Sequence, residues 1–293
     1  MSSSGLTAES VNADLGSINF TGGFPTSKDL APSIIFLVIY VLLAPVLIFR
    51  LVRKADRSLV LVRPAIFVAA RIGMLVVRAI MAKNSYGEGL LIAELVLVSV
   101  GFLFLINAAA SCFKLQIDSD LPKDERPRWV RRLTTLLHIV VIAAIGTAVA
   151  GAASINGAVN DPSKLGTVKD LRKASMILSV VAVIIIFLAT IHTHLKFHLD
   201  TRGTTWILTT TACLIVVAVY RLVQTYSTDP HAASRSLTAF WVLNMTFELL
   251  AFVPFIAVSI PTWFPGEKGR STRSDSEMAS PGSSGPYGMN ERK

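Results

Sequence analysis

Seven apolar stretches, near residues 30–50, 61–82, 90–112, 133–155, 174–195, 205–226 and 238–259, dominate this chain. Each is about 20 residues long, and at about 1.5 Å per residue a helix of that length crosses the roughly 30 Å hydrocarbon core of a bilayer. In that core, backbone N–H and C=O groups have no water to bond, so each span satisfies them internally as a helix. The pattern predicts an all-α fold, a polytopic seven-transmembrane-helix bundle in the plasma membrane or an endomembrane. Charged residues make up 16% of the chain, against about a quarter in soluble domains, and they cluster between the stretches.

The stretches divide the chain into a polar Ser-, Gly- and Asn-rich tail at 1–28, a seven-span domain at 29–263, and a Gly-, Ser- and Pro-rich tail at 264–293. The last reads as disordered and cytoplasmic, and its segment at 270–277 is a candidate for phosphorylation. No basic segment followed by a short apolar run opens the chain, so no cleavable signal peptide is expected. Lys and Arg concentrate in the loops after spans one, three and five and in the C-terminal tail, 17 against 7 on the opposite side. By the positive-inside rule the N-terminus lies outside and the C-terminus in the cytoplasm. The sequon at Asn19 then falls on the lumenal or extracellular side, as glycosylation requires. The same clustering explains the formal charge of +9 as a topology signal, so no nucleic-acid partner is expected. The basic 114–132 loop is a candidate contact for a cytoplasmic protein.

Ionisable residues within the spans are costly, about 2.5–3.5 kcal/mol each on insertion scales, so they need partners. Arg71 and Glu248 fall near the middle of spans two and seven. Arg78, Glu94, Arg221 and Asn244 fall nearer the outer ends of spans two, three, six and seven. Arg71 and Arg78 share a helix face, and so do Asn244 and Glu248. These six residues form either a ligand-binding cavity open to the outer leaflet or a polar network that glues helices together. Three arginines against two glutamates leave one positive charge over, which an anionic group such as a lipid phosphate or carboxylate would balance.

Other features exclude rather than assign. His192, His194 and His198 crowd the end of span five without a metal-ligand spacing, and no metal or cofactor is implied. Cys112 and Cys213 lie at or within spans, so no structural disulfide is expected. Span seven has no lysine for a retinal Schiff base. No nucleotide-binding, heme-attachment or Asp-rich diphosphate motif occurs. Pro45 and Pro254 are expected to kink spans one and seven.

The runs VAARIGMLVVRAI (68–80), AVYRLVQTYS (218–227) and LNMTFELLAFVPFIA (243–257) resemble spans two, six and seven of a group of filamentous-fungal seven-span proteins with no settled activity. Arg71, Arg221 and Glu248 are the matching positions. A more distant likeness is to fungal lipid-translocating exporters of the aminocholesterol-resistance type, whose additional acidic residues in later spans are missing here. The resemblance implies architecture. The residues themselves point first to a non-enzymatic protein that binds, senses or translocates an amphipathic or anionic lipid-like ligand. The alternatives are a membrane-embedded isomerase or cyclase with Glu248 or Glu94 as proton donor, and a receptor-like signalling protein.

Overall fold

The computed structural model of the chain describes residues 25–53, 56, 58–83, 88–155, 164–227 and 232–264. The Asn19 sequon and the 270–277 segment lie outside the described residues. Seven helices are long and apolar enough to cross a membrane. They are α1 (Leu30–Val52), α2 (Val62–Lys83), α3 (Glu88–Asp120), α4 (Arg128–Ala153), α5 (Leu165–Phe197), α6 (Thr201–Tyr226) and α7 (Leu237–Ala257). The chain is a multi-pass integral membrane protein. A short helix, α8 (Ile260–Trp263), follows α7. The side holding the start of α1 is called upper here, and the opposite side lower.

α1 and α3 to α6 run longer than their apolar stretches. α3 and α5 have 33 residues each, about 50 Å, so both extend past the hydrocarbon core or tilt within it. Polar residues at the span ends continue the helix because nothing breaks it there. α5 stops where His198 turns left-handed, at φ 49°, and α6 restarts on Asp200, whose Oδ2 accepts from the Gly203 amide. That side-chain acceptor satisfies one of the amides left open at a helix start.

Consecutive helices pack side by side, and α3 also touches α5, α6 and α7. α3 sits in the middle, enclosed on all sides along this stretch: the successive residues Ala108, Ala109 and Ala110, and Cys112, are fully buried. In hydrocarbon no hydrophobic force draws helices together, so close approach of small residues and interhelical hydrogen bonds do that work. The α4–α5 seam uses both devices. Ala144, Ala148 and Ala152 line it at helical spacing, and Ser175 Oγ of α5 donates to the Ala144 carbonyl at 2.8 Å. α1 is the outlier. Only 11% of its most apolar window is buried, against 33–56% for the other six.

On the lower side the connections are tied by polar contacts. Arg50 donates to the Val258 carbonyl, and Gln116 Nε2 donates to Thr204 Oγ1 (2.8 Å) and to the Asp200 carbonyl (3.2 Å). Gly203 makes this junction possible. A Cβ there would sit 2.9 Å from the Phe264 ring and 3.2 Å from Gln116 Nε2. Gly203→Ala is therefore expected to destabilise the chain by about 1–3 kcal/mol, as overpacking does, read as a lower thermal midpoint in detergent. An unchanged midpoint would mean that α8 does not hold Phe264 against α6.

Candidate functional site

The six interior polar residues meet in two clusters joined through α2 and α7. In the first, Arg71 of α2 and Glu248 of α7 form a bidentate pair, Nε to Oε2 at 2.6 Å and Nη2 to Oε1 at 2.8 Å. Arg221 of α6 reaches the same carboxylate, Nη2 to Oε1 at 2.6 Å, and its Nε donates to Asn244 Oδ1 at 2.7 Å. Two guanidinium groups on one carboxylate leave donors over, and the α3 backbone takes them. Arg71 donates to the Leu97 and Val98 carbonyls at 3.2 and 3.1 Å, and Arg221 to Val98 at 3.2 Å. Each cation also faces a ring: Phe67 lies 5.2 Å from the Arg71 Cζ, and Phe102 4.5 Å from that of Arg221. Ring faces of this kind favour a desolvated cation.

The second cluster lies toward the upper side, around Arg78 of α2. It donates Nη1 to Glu94 Oε1 of α3 at 2.5 Å, and Nη2 and Nε to Asp29 Oδ1 at 2.7 and 3.1 Å. Phe240 and Trp241 of α7 lie 4.8 and 5.6 Å from its Cζ. Asp29 ends the 3-10 turn Ser27–Asp29 that leads into α1, and its Oδ2 accepts from the Thr26 amide at 3.0 Å. One carboxylate thus shapes the entrance of α1 and holds α2.

Two expectations change here. Arg221 and Asn244 belong with the central pair and not with an outer layer, because the long Arg221 side chain reaches Glu248 and bonds Asn244 on the way. The surplus positive charge also disappears. Arg71, Arg78 and Arg221 stand against Glu248, Glu94 and Asp29, so the two clusters together are formally neutral. Asp29 was missed because it follows a polar tail, where an acidic residue reads as an ordinary helix start. Arg172, one of the seven Lys and Arg residues on the less basic side, is also buried. It lines a small cleft with Ser99, Gly151 and Ser175, within electrostatic reach of Arg221.

α7 supplies Trp241, Asn244 and Glu248 from an unusual backbone. Residues Phe240–Thr246 form a π-helix, and ordinary α-helix resumes at Phe247. Its wider turn puts the Thr246 hydroxyl on the Trp241 carbonyl at 3.0 Å. Such segments are often found at functional sites. Among the carboxylates, Glu248 has both oxygens occupied by guanidinium and is built as a counter-ion. Glu94 keeps Oε2 without a hydrogen-bond partner among the described residues, so it is the better placed of the two to exchange a proton.

The histidines make local contacts. His138 meets the Thr134 carbonyl at 2.6 Å, and His194 meets Thr204 Oγ1 at 3.2 Å. Cys112 is fully buried.

The family model described as a domain of unknown function (DUF7702) matches residues 30–262. The chain belongs to this family. The match takes in all seven spans and five of the six charged residues of the two clusters, leaving Asp29 one residue before it. No curated protein and no solved structure matches the DUF7702 chain.

Charge pairing in the central cluster is open to direct test. Glu248→Gln leaves Arg71 and Arg221 facing a neutral amide, and loss of one partner from a buried ion pair costs about 3–5 kcal/mol. Asn244→Asp keeps an acceptor for Arg221 Nε and adds a charge the cluster tolerates. Thermal midpoints in detergent should therefore fall much further for Glu248→Gln than for Asn244→Asp. The reverse order would refute the assignment of Glu248 as the shared counter-ion.

Proposed function

We propose that this DUF7702 chain is a non-enzymatic seven-span protein that takes an amphipathic, lipid-like ligand laterally from the bilayer, for sensing or translocation. Its seat is the seam between α1 and α7 in the upper half of the bundle. The Lys and Arg asymmetry of the loops supports an upper side that faces outward.

The observation behind this reading is a group of polar atoms without partners. Ser33 Oγ and Tyr40 Oη of α1, Trp241 Nε1 and Asn244 Nδ2 of α7, and Glu94 Oε2 of α3 are buried and lack a hydrogen-bond partner among the described residues. Leaving such an atom unbonded costs about 1–3 kcal/mol. All five belong to the clusters or to the helix beside them, since Trp241 flanks Arg78 and Asn244 holds Arg221. Four of these groups can donate and Glu94 Oε2 accepts when ionised. That set fits a head group rich in acceptor oxygens that also carries a hydroxyl. Because the clusters are formally neutral, the ligand does not have to be an anion.

α1 is the helix most able to move aside. It is the least enclosed, and rings close its seam with α7: Phe36 stacks on Trp241 at 5.4 Å and Tyr40 lies 6.3 Å from Phe252. Ring contacts give an apolar tail a surface to replace.

Native mass spectrometry of the detergent-purified chain, wild type beside a Ser33→Ala/Tyr40→Phe double variant, tests the proposal. The Tyr40 ring and the Ser33 Cβ remain, and only two partnerless hydroxyls are lost. Wild type is expected to carry a co-purifying mass whose occupancy falls at least tenfold in the variant, while the thermal midpoint without that mass is unchanged or raised. A variant that keeps the adduct, or bare spectra from both proteins, would overturn the reading in favour of purely structural glue.

A further inference from the structure

The lower side presents chemistry that the central clusters do not use. α4 begins there with Arg128, Arg131 and Arg132, whose spacing of three and four residues sets them on one side of its first turns. All three are exposed. Arg126, just before the helix, is committed inward. It donates to the Leu121 and Asp118 carbonyls at 3.0 and 2.7 Å and pairs with the Asp118 carboxylate at 3.4 Å. For Arg128, Arg131 and Arg132, by contrast, no carboxylate lies within ion-pair distance among the described residues.

These three arginines and Trp129 line an open groove that runs down to Leu136 and Ile139. Trp129 is steadied by an edge contact with His192 of α5, ring centroids 5.8 Å apart. Leu136 and Ile139 are 53% and 58% exposed. Ile139 lies 11 residues beyond Arg128, about 16 Å along the helix. From the rim inward the groove therefore offers guanidinium groups, an indole and aliphatic side chains. That is the order of a phospholipid's own parts: charged head, glycerol esters, acyl chain.

We infer that this groove is a binding site for an anionic phospholipid whose head group carries a phosphomonoester. Arginine suits phosphate because its planar fork donates two parallel hydrogen bonds. A diester alone supplies about one negative charge, too little for the three guanidinium-bearing side chains that line the groove. A monoester adds about 1.5 to 2 more. The site is separate from the α1–α7 seam in helix, side and chemistry, so either proposal can fail without the other.

Binding to the full-length chain in phosphatidylcholine nanodiscs tests this site, with dioctanoyl phosphatidylinositol 4-phosphate and dioctanoyl phosphatidylserine as probes read by native mass spectrometry. The monophosphate is expected to bind at least tenfold more tightly than phosphatidylserine. Arg128→Gln/Arg131→Gln/Arg132→Gln should remove that preference, whereas Lys28→Gln/Lys83→Gln/Lys169→Gln on the upper side should keep it. Leu136→Ser/Ile139→Ser, which leaves every arginine in place, should weaken the lipid while sparing inorganic phosphate. Equal binding of both lipids, or an arginine variant that binds as wild type does, would overturn the site. Inorganic phosphate competing as well as the lipid would reassign the groove to a soluble phosphate.

Discussion

Glu248 is the group on which the bundle's interior turns. It stands near the middle of α7 with two guanidinium groups on its two oxygens, one from α2 and one from α6. In hydrocarbon none of the three charges is tolerable alone. A single carboxylate cannot occupy all the donors of two arginines, so the Leu97 and Val98 carbonyls of α3 are drawn in. Those carbonyls are mid-helix and already serve the α3 ladder, but each has a second lone pair. Four helices are thereby fixed at one depth and one rotation. Van der Waals packing of Leu, Val and Ile against a lipid-like surround would not choose so narrowly.

The second cluster extends that order to the rim. Arg71 and Arg78 are seven residues apart on α2, so a rotation that satisfies one presents the other to Glu94 and Asp29. Asp29 sets the start of α1 at the same time as it pairs with Arg78. This accounts for how α1 keeps its place although most of its surface faces outward. Its position depends more on one ion pair at its upper end and a few ring contacts than on enclosure. A helix held that way can change its packing without disturbing the central cluster, whereas α2, α3, α6 and α7 cannot move independently of it.

The seven spans were legible because length and apolarity are sums over twenty residues, and a few misplaced charges do not change a sum. The partners of the charges were legible only in part. Arg71 and Glu248 lie at similar counts along their spans, so equal depth suggested contact. Arg221 defeated that count, since the count locates a Cα and the guanidinium acts several ångströms away. Asp29 was hidden by its setting, because an acidic residue at a helix start has an ordinary explanation. The α3 carbonyls and the π-helix of α7 leave no mark in residue types. They are answers to a packing problem that exists only once the helices are together.

Neutrality of the two clusters bears on what kind of selectivity the chain can have. The two clusters, with three arginines against three carboxylates, together exert little net attraction on an approaching ion, and burial deep in the bundle separates them further from water. Under the lipid-binding proposal, selection there falls to hydrogen-bond geometry more than to charge. The lower rim is the opposite case. Arg128, Arg131 and Arg132 are exposed cations with no carboxylate in ion-pair distance among the described residues, so that end of α4 presents net charge. α3 and α4 link the two regions physically, since the helix whose carbonyls complete the Glu248 cluster is packed against the helix that begins with the arginines. A head group drawing on α4 at the rim would therefore pull against the same helix that the central charges hold.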